Sequence, residues 1–248
     1  ERTPIVYWFG SEILDYFLDE SSDRIPEPEK GLSTGDDERF LRKWWEVPQS
    51  KIGEEYEWIM TSGDGNIYYT SSEKVVLWGS DGEPVKQAAG SHTRGESAYK
   101  TPGLTCRKFG NEFTARKHPS DHIFAESAYF ISDEEDIDIE TTIGYLCSSF
   151  IRYIMNGLNP SMHFNTSAIS SLPLPSEIQD TSEITDLVER AVEAQEKRFA
   201  LKETKREFTG SEDMSKSLIE YHYKEEQLVA EIEIIRAIID DLIFSTLN

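Results

Sequence analysis

Near Ser182 the texture of this chain changes, and that change constrains the fold more than any other feature. From there the apolar residues recur at helical spacing. Ile184, Leu187, Val188, Ala191 and Phe199 set one stripe. Leu218, Tyr221, Leu228, Ile232, Ile235, Ile239 and Leu242 follow at intervals of 3, 7, 4, 3, 4 and 3, a heptad seam with one polar break at Glu225. Gly210 and Ser211 lie between the two and supply a stop and a cap. Such spacing predicts an antiparallel helical hairpin over 177–248, packed on the rest of the chain or on a partner.

Before that point the pattern is mixed. Residues 3–19 predict an apolar strand, a cap at Ser11 and a short amphipathic helix. Strands are expected at Trp58–Met60 and Asn66–Thr70 around the Ser62-Gly63-Asp64-Gly65 turn, and again at Val75–Trp78, Glu112–Arg116 and His122–Phe124. The acidic run at 133–140 is expected to be a solvated loop, and Thr141–Asn156 one helix buried on one face. The expected fold class is therefore α+β: a mixed, β-rich domain over 1–176, then the hairpin.

Charge gives the strongest functional pointer. The chain carries 25 Lys and Arg against 47 Asp and Glu, a net charge of −22 over 248 residues. Yet residues 86–118 hold seven cations (Lys86, Arg94, Lys100, Arg107, Lys108, Arg116, Lys117) and only Glu96 and Glu112. A basic island of this kind suits a polyanion, because each phosphate neutralised releases counterions. Aromatic, Ser, Thr and Asn side chains among the cations can add backbone and base-edge contacts. The acidic remainder fits a halophilic surface; DNA mimicry fits less well, since a mimic has no use for the island.

Enzyme signatures are scarce. Nucleotide-binding glycine loops are missing, no serine is expected at a nucleophile elbow, and no Pro-Pro dipeptide supplies the aromatic loop of amino-methyltransferases. His118 and His122 have metal-pair spacing, but Pro119 breaks a helix there and no further ligand falls at zinc spacing. Of the Asp36-Asp37-Glu38 group, one Asp is expected to cap a helical turn rather than bind magnesium. Cys106 and Cys147, far apart, fit free thiols in a reducing cytoplasm. No signal peptide opens the chain and no apolar run reaches membrane-spanning length, so a cytoplasmic location without membrane contact is expected. The start at Glu1 rather than Met fits an excised domain of a longer protein.

Three segments carry a resemblance. GLSTGDDERFLRKWWEV (31–47) resembles a signature of the large adenine methyltransferases of BREX phage-defence systems, the PglX family; type IIL restriction–methylation enzymes have a related Thr-Gly-Asn-Asn turn. YKTPGLTCRKFGNEFTARKHPSDHIFAESA (99–128) and LNPSMHFNTSAISSLPLP (158–175) are similar to two further segments of that family, in the same order. The resemblance implies a C-terminal, TaqI-like target recognition domain that reads double-stranded DNA. S-adenosylmethionine would then bind a methyltransferase domain outside this chain, linked or associated, and other defence-system subunits are possible partners. The chain alone would have no catalysis and no cofactor of its own. Two departures stand out. SGDGNIYYTSSEKVV (62–76) lacks most of the basic residues of relatives, and Cys106 stands where they carry an aromatic.

Residue chemistry then assigns roles. Lys100, Lys108 and Lys117 are phosphate candidates. Arg107 and Arg116 suit a guanine and Asn111 an adenine, while Thr93 and Arg94 reach a flanking phosphate. In the first motif Thr34, Arg39 and Arg42 join the DNA-binding set, the two arginines being equally suited to ion pairs with Asp36 or Glu38. Gly31 and Gly35 are expected at positive φ, and Trp44 and Trp45 in the core. Weak DNA binding is expected of the chain alone, given its charge. The competing reading is an acidic protein-interaction module that docks a partner subunit through its C-terminal helices. Convergence of Lys100, Arg107, Lys108, Arg116 and Lys117 on one concave face would favour DNA; scatter would favour docking.

Overall fold

The computed structural model of the protein describes residues 10–18, 22–62, 65–133, 137–159, 161–202, 204–208 and 218–247. Helix α1 (Ser11–Leu18) begins at the serine expected to cap it; the strand expected before it falls outside the described residues. Next come β1 (Asp23–Arg24) and β2 (Leu32–Ser33). Asp36 caps a single turn, α2 (Asp37–Phe40), its side chain accepting the Arg39 N–H at 3.0 Å. The chain continues through β3 (Leu41–Lys43), β4 (Tyr56–Met60), β5 (Lys74–Leu77), α3 (Glu83–Lys86) and β6 (His92–Thr93). Four closely spaced strands follow, β7 (Gly103–Arg107), β8 (Ala115–His118), β9 (His122–Phe124) and β10 (Ala128–Ser132).

These strands form a four-stranded sheet in the order β3-β5-β4-β9 and an antiparallel three-stranded sheet in the order β10-β7-β8. The β4–β9 pair is parallel and sets Trp58 beside His122; β2 pairs with β6 and sets Ser33 beside His92. β7 and β10 are absent from the expected strands. Both are buried on both faces; β10 (Tyr129, Phe130, Ile131) therefore lacks alternation, whereas β7 alternates over Leu104-Thr105-Cys106-Arg107 but buries the polar Thr105 as well. Asn66–Thr70 is not a strand. Tyr68 adopts φ +64°, which breaks any ladder, and it bridges to Arg116 alone.

The remaining elements are α4 (Ile139–Leu146), α5 (Ser149–Leu158), α6 (Thr166–Ser170), β11 (Pro173–Leu174), α7 (Ser176–Gln179), α8 (Ser182–Ala200) and α9 (Leu218–Thr246). β11 returns to pair with β1. The single helix expected over 141–156 is two. Ser148 leaves helical geometry (ψ 156°) and its hydroxyl accepts the Ile151 N–H at 3.1 Å, capping α5. The first of the two, α4, is buried all round. Gly144 lets α8 approach so closely that a Cβ there would lie 2.6 Å from Ile184 Cγ2.

Helices α8 and α9 form the expected antiparallel hairpin. Arg190 pairs with Glu231 at 3.7 Å, while Arg198 and Lys202 meet Glu225 at 3.5 and 2.9 Å. The polar break in the heptads is thus the place where α9 meets the end of α8. The Lys202 ammonium, against some burial, holds the Glu225 carboxyl below its usual range. Leu228, Ile232, Ile235 and Ile239 are buried as the heptads require, but the seam ends on Ile243 rather than Leu242. That is the drift of a straight helix against a seven-residue repeat. Gly210 and Ser211 lie outside the described residues.

One apolar cluster runs from β7, β8 and β10 through α4 to α8 and α9. A smaller one (Leu32, Phe40, Ile59, Val76, Trp78, Val85, Ile123) lies on the four-stranded sheet. Residues 204–208 clip the hairpin to that sheet. Trp44 Nε1 donates to the Thr204 carbonyl at 3.1 Å, Lys205 reaches Glu73 at 2.5 Å, Arg206 meets Asp121 at 2.7 Å, and Tyr69 Oη donates to Glu207 at 2.5 Å. Trp44 is half-buried and Trp45 46% exposed, so neither joins the core.

Candidate nucleic-acid interface

The basic island is folded so that most of its cations face carboxylates. Lys86 meets Glu96, and Asp81 at 3.3 Å; Lys100 meets Glu57 at 2.6 Å; Lys117 meets Glu140 at 2.6 Å. Lys108 and Arg94 reach the same oxygen, Glu126 Oε1, at 3.0 and 3.9 Å. Most of these pairs keep at least one partner in contact with solvent, so they add little to stability. Their larger effect is on access, since an incoming phosphate must exchange with a carboxylate already in place.

Arg107 and Arg116 take opposite positions although both lie on the β7–β8 pair. Arg116 is 0% exposed, and its guanidinium donates to the Ser62 carbonyl. It supports Ser62 from inside and presents no edge to a ligand. Arg107, at the end of β7, is half-buried between Gly65 and Gly110 with its Nε unbonded, and no carboxylate pairs with it among the described residues. Asn111 follows on the exposed loop. That loop is fixed by the Gly110 N–H donating to Met162 O at 2.9 Å and by Phe109 stacking on His163 at 4.7 Å.

The concave feature beside the island is a cleft of about 360 Å³ between the two sheets. Thr34, Asp37, Lys74, Lys108, Phe109 and Glu126 are among its lining residues. A second groove, of about 220 Å³, shares Ile59, Thr61, Ser62 and Lys74 with it and reaches Ser71, Glu73 and Lys205. Thr34 donates to Asp37 at 2.5 Å. Glu73 lies between Lys205 and Lys43; burial opposes its charge, but the two ammoniums hold its carboxyl below the usual range. Thr93 and Arg94 flank the cleft because Thr93 pairs with Leu32 in its wall. Arg39 is exposed with its guanidinium 4.8 Å from the Phe40 ring, and Arg42 donates to the Glu38 and Leu41 carbonyls, each at 2.7 Å. Lys100 and Lys117 do not line the cleft. The five island cations chosen as a test of convergence therefore scatter: one is in the cleft, one is buried, two are paired elsewhere, and Arg107 stands at the loop.

Both glycines of the first motif are required, for different reasons. Gly35 has φ +70° as expected. Gly31 does not; a Cβ there would lie 2.0 Å from the Phe124 carbonyl oxygen, so the need is for space. The same segment, Gly31-Leu32-Ser33-Thr34-Gly35, spells G-x-S-x-G. It is no nucleophile elbow: Ser33 sits in a strand ladder without positive φ.

His118 and His122 are not a ligand pair either. The His118 ring faces Phe124 and Phe130, and its Nε2 bonds the His122 carbonyl at 3.2 Å; His122 Nδ1 bonds Asp121 at 2.7 Å and its ring stacks on Trp58. Burial pushes His118 down to about 3 and lowers His122 as well, so both are neutral at pH 7. The His122 bond, with Arg206 beyond it, holds Asp121 well below the carboxylate range. Among the described residues no three His, Cys, Asp or Glu side chains are placed to hold a metal. Cys106 and Cys147 are free and buried, with burial raising both thiols.

Glu126, Glu73, Lys74 and Lys205 shape the cleft and groove, and sequence reasoning missed all four. The partners of Glu126, Glu73 and Lys205 lie 18 to 132 residues away, so no local pattern marks them.

No protein-family model matches the chain. Over 220 residues it is 22% identical to the adenine-specific methyltransferase BrxX of Escherichia coli O9:H4 (strain HS), a match covering 84% of this chain and 18% of that protein. It is 23% identical over 226 residues to the adenine-specific methyltransferase PglX of Lacticaseibacillus casei (strain Zhang), covering 77% of this chain and 17% of that one. The chain thus spans less than a fifth of the length of these curated relatives. Among solved structures it is similar to the type IIL restriction–modification enzyme MmeI in complex with DNA, with a TM-score of 0.47 and 13% identity over 93% of this chain and 37% of that one. Among the described residues no helix is long and apolar enough to cross a membrane.

Proposed function

We propose that this chain is the double-stranded DNA recognition module of an N6-adenine DNA methyltransferase in a phage-defence system, of the BREX or restriction–modification kind. The observation that carries this reading is the likeness to two adenine-specific methyltransferases across most of this chain but under a fifth of theirs. A segment so placed in a larger enzyme, with no methyl-donor motif of its own, suits substrate selection better than chemistry. S-adenosylmethionine then binds a catalytic domain elsewhere, and this chain positions the duplex.

In this reading the cleft walls hold the backbone. Lys108, Arg94, Thr93 and Thr34 meet one phosphate run, with Arg39 and Arg42 at its edge and Lys100 and Lys117 contributing long-range attraction. Arg107 and Asn111 read bases from the β7–β8 loop, Arg107 by its fork on a guanine and Asn111 on an adenine. Arg116 takes no base; it supports the loop beside them. The test is selection from a randomised duplex pool with sequencing of the bound fraction. One enriched asymmetric motif, relaxed at a single position by Arg107→Ala at a cost of about 1–3 kcal/mol, is the expected result. Absence of any enrichment, with or without a fused methyltransferase domain, refutes it.

A second reading, docking of a partner subunit, draws on the scatter of the island cations and on α9. That helix leaves Ile234 61% and Ile238 40% exposed, in a groove they line with the seam residues Leu228 and Ile235 and with Arg190 of α8. In a soluble chain such a strip suits another protein surface. The two readings concern different faces and coexist in one module.

A further inference from the structure

Glu126, in the cleft wall, touches two island cations, and its position is built rather than incidental. It lies in the turn between β9 and β10. Its backbone N–H donates to the Leu32 carbonyl at 2.8 Å, which ties the turn to the first motif. Ser33, in the cleft wall beside it, also favours the ionised carboxylate, though less than Lys108 does. One carboxylate oxygen receives Lys108 at 3.0 Å and lies 3.9 Å from Arg94. Lys108 itself is held between the Phe109 and Tyr129 rings, at 5.3 and 5.8 Å, with little freedom to turn away. An anionic oxygen shared by a Lys and an Arg, with a hydroxyl beside it, has the coordination of a bound phosphate oxygen.

We propose that Glu126 is a specificity-determining residue, an internal counter-ion that occupies the phosphate position of the cleft and yields only to a correctly seated duplex. It rests on the DNA-recognition reading above. The charge is present at neutral pH, since the Lys108 ammonium beside it holds the carboxyl below its usual range. Random DNA offers phosphates but no base contacts, so it gains nothing over Glu126 and is refused. A cognate site adds base-edge bonds at the β7–β8 loop, which offset the exchange. The device lowers non-specific affinity more than specific affinity, which raises the ratio on which target search depends.

The experiment compares the chain with Glu126→Gln and Glu140→Gln, each removing one negative charge, in binding a fluorescent randomised 20-base-pair duplex across a salt series. Melting curves check that both variants fold. Glu126→Gln is expected to bind random duplex about tenfold more tightly, with a salt slope steeper by about one to two, because two cations are freed. Glu140→Gln, which frees only Lys117 outside the cleft, changes affinity by about twofold at most. Ser33→Ala, which unseats the carboxylate without touching charge, shifts binding in the same direction by a smaller factor. Equal effects of Glu126→Gln and Glu140→Gln overturn the proposal in favour of bulk charge. Unchanged binding on Glu126→Gln overturns it while DNA recognition stands. A loss of affinity makes Glu126 a base reader instead, a carboxylate accepting from a cytosine amine. Failure of the parent chain and every variant to bind at any salt removes the DNA reading and this inference together.

Discussion

The basic island and the C-terminal hairpin dispose of charge in contrasting ways. In the island each pairing crosses strands or loops: Lys100 to Glu57, Lys108 to Glu126, Lys117 to Glu140. In the hairpin some pairs are one helical turn apart, as with Lys197 and Glu193 at 2.9 Å, and the helices are held by an apolar seam that the charges merely flank. The difference teaches that charge has two jobs in this molecule. Along the helices it solubilises a face whose stability comes from Ile and Leu. Across the sheets it governs what can approach a cleft, and adds little to folding.

The contrast can be broken by mutation. Ile239→Ala, at a fully buried seam position, is expected to cost about 2–5 kcal/mol in urea unfolding, whereas Lys100→Ala costs about 1 kcal/mol or less. Comparable losses from the two would mean that the island pairs are structural. Acid sharpens the comparison next. His118, buried under Phe124 and Phe130, binds its proton less readily folded than unfolded, its pKa falling from 6.5 to about 3. The unfolded chain therefore takes up a proton that the fold refuses, and stability falls as pH drops from about 6.5 toward 3, by up to about 1.4 kcal/mol per pH unit. His122 acts in the same direction, and Asp121 adds a further loss below its ordinary range. Urea midpoints at pH 7 and pH 5 should separate for the parent chain and draw together for His118→Phe; an unchanged gap would place the acid sensitivity elsewhere. The smallest effect belongs to Lys197→Ala on the hairpin. It should change stability by only about 0.3–0.5 kcal/mol, and less in high salt, as measured by thermal melting.

The same contrast decides what a reader of the sequence can see. The hairpin was legible because a helix writes its buried face at fixed intervals, and even its one polar interruption fell where Arg198 of α8 and Lys202 just beyond it wait. Strands β4, β5 and β9 were legible for their alternation or their compact apolar runs. β7 and β10 were not, being buried on both faces, and Tyr68 erased a strand by taking a left-handed turn that its residue type does not advertise. Of the candidate site, Lys108, Thr34 and Arg94 reached the cleft or its rim. Arg116 did not, because a one-residue difference in strand register sends a side chain to the opposite face and composition carries no register. Glu126 escaped notice for a related reason: a single acid in an acidic chain becomes meaningful only when folding sets two cations against it.

The clips at residues 204–208 have a mechanical consequence. Four consecutive anchors, to Trp44, Glu73, Asp121 and Tyr69, leave the end of α8 no freedom to swivel on the four-stranded sheet. Lys205 is both an anchor and part of the groove wall. One side chain thus joins the hairpin to the sheet and closes the groove, so a substitution at Lys205 alters both at once.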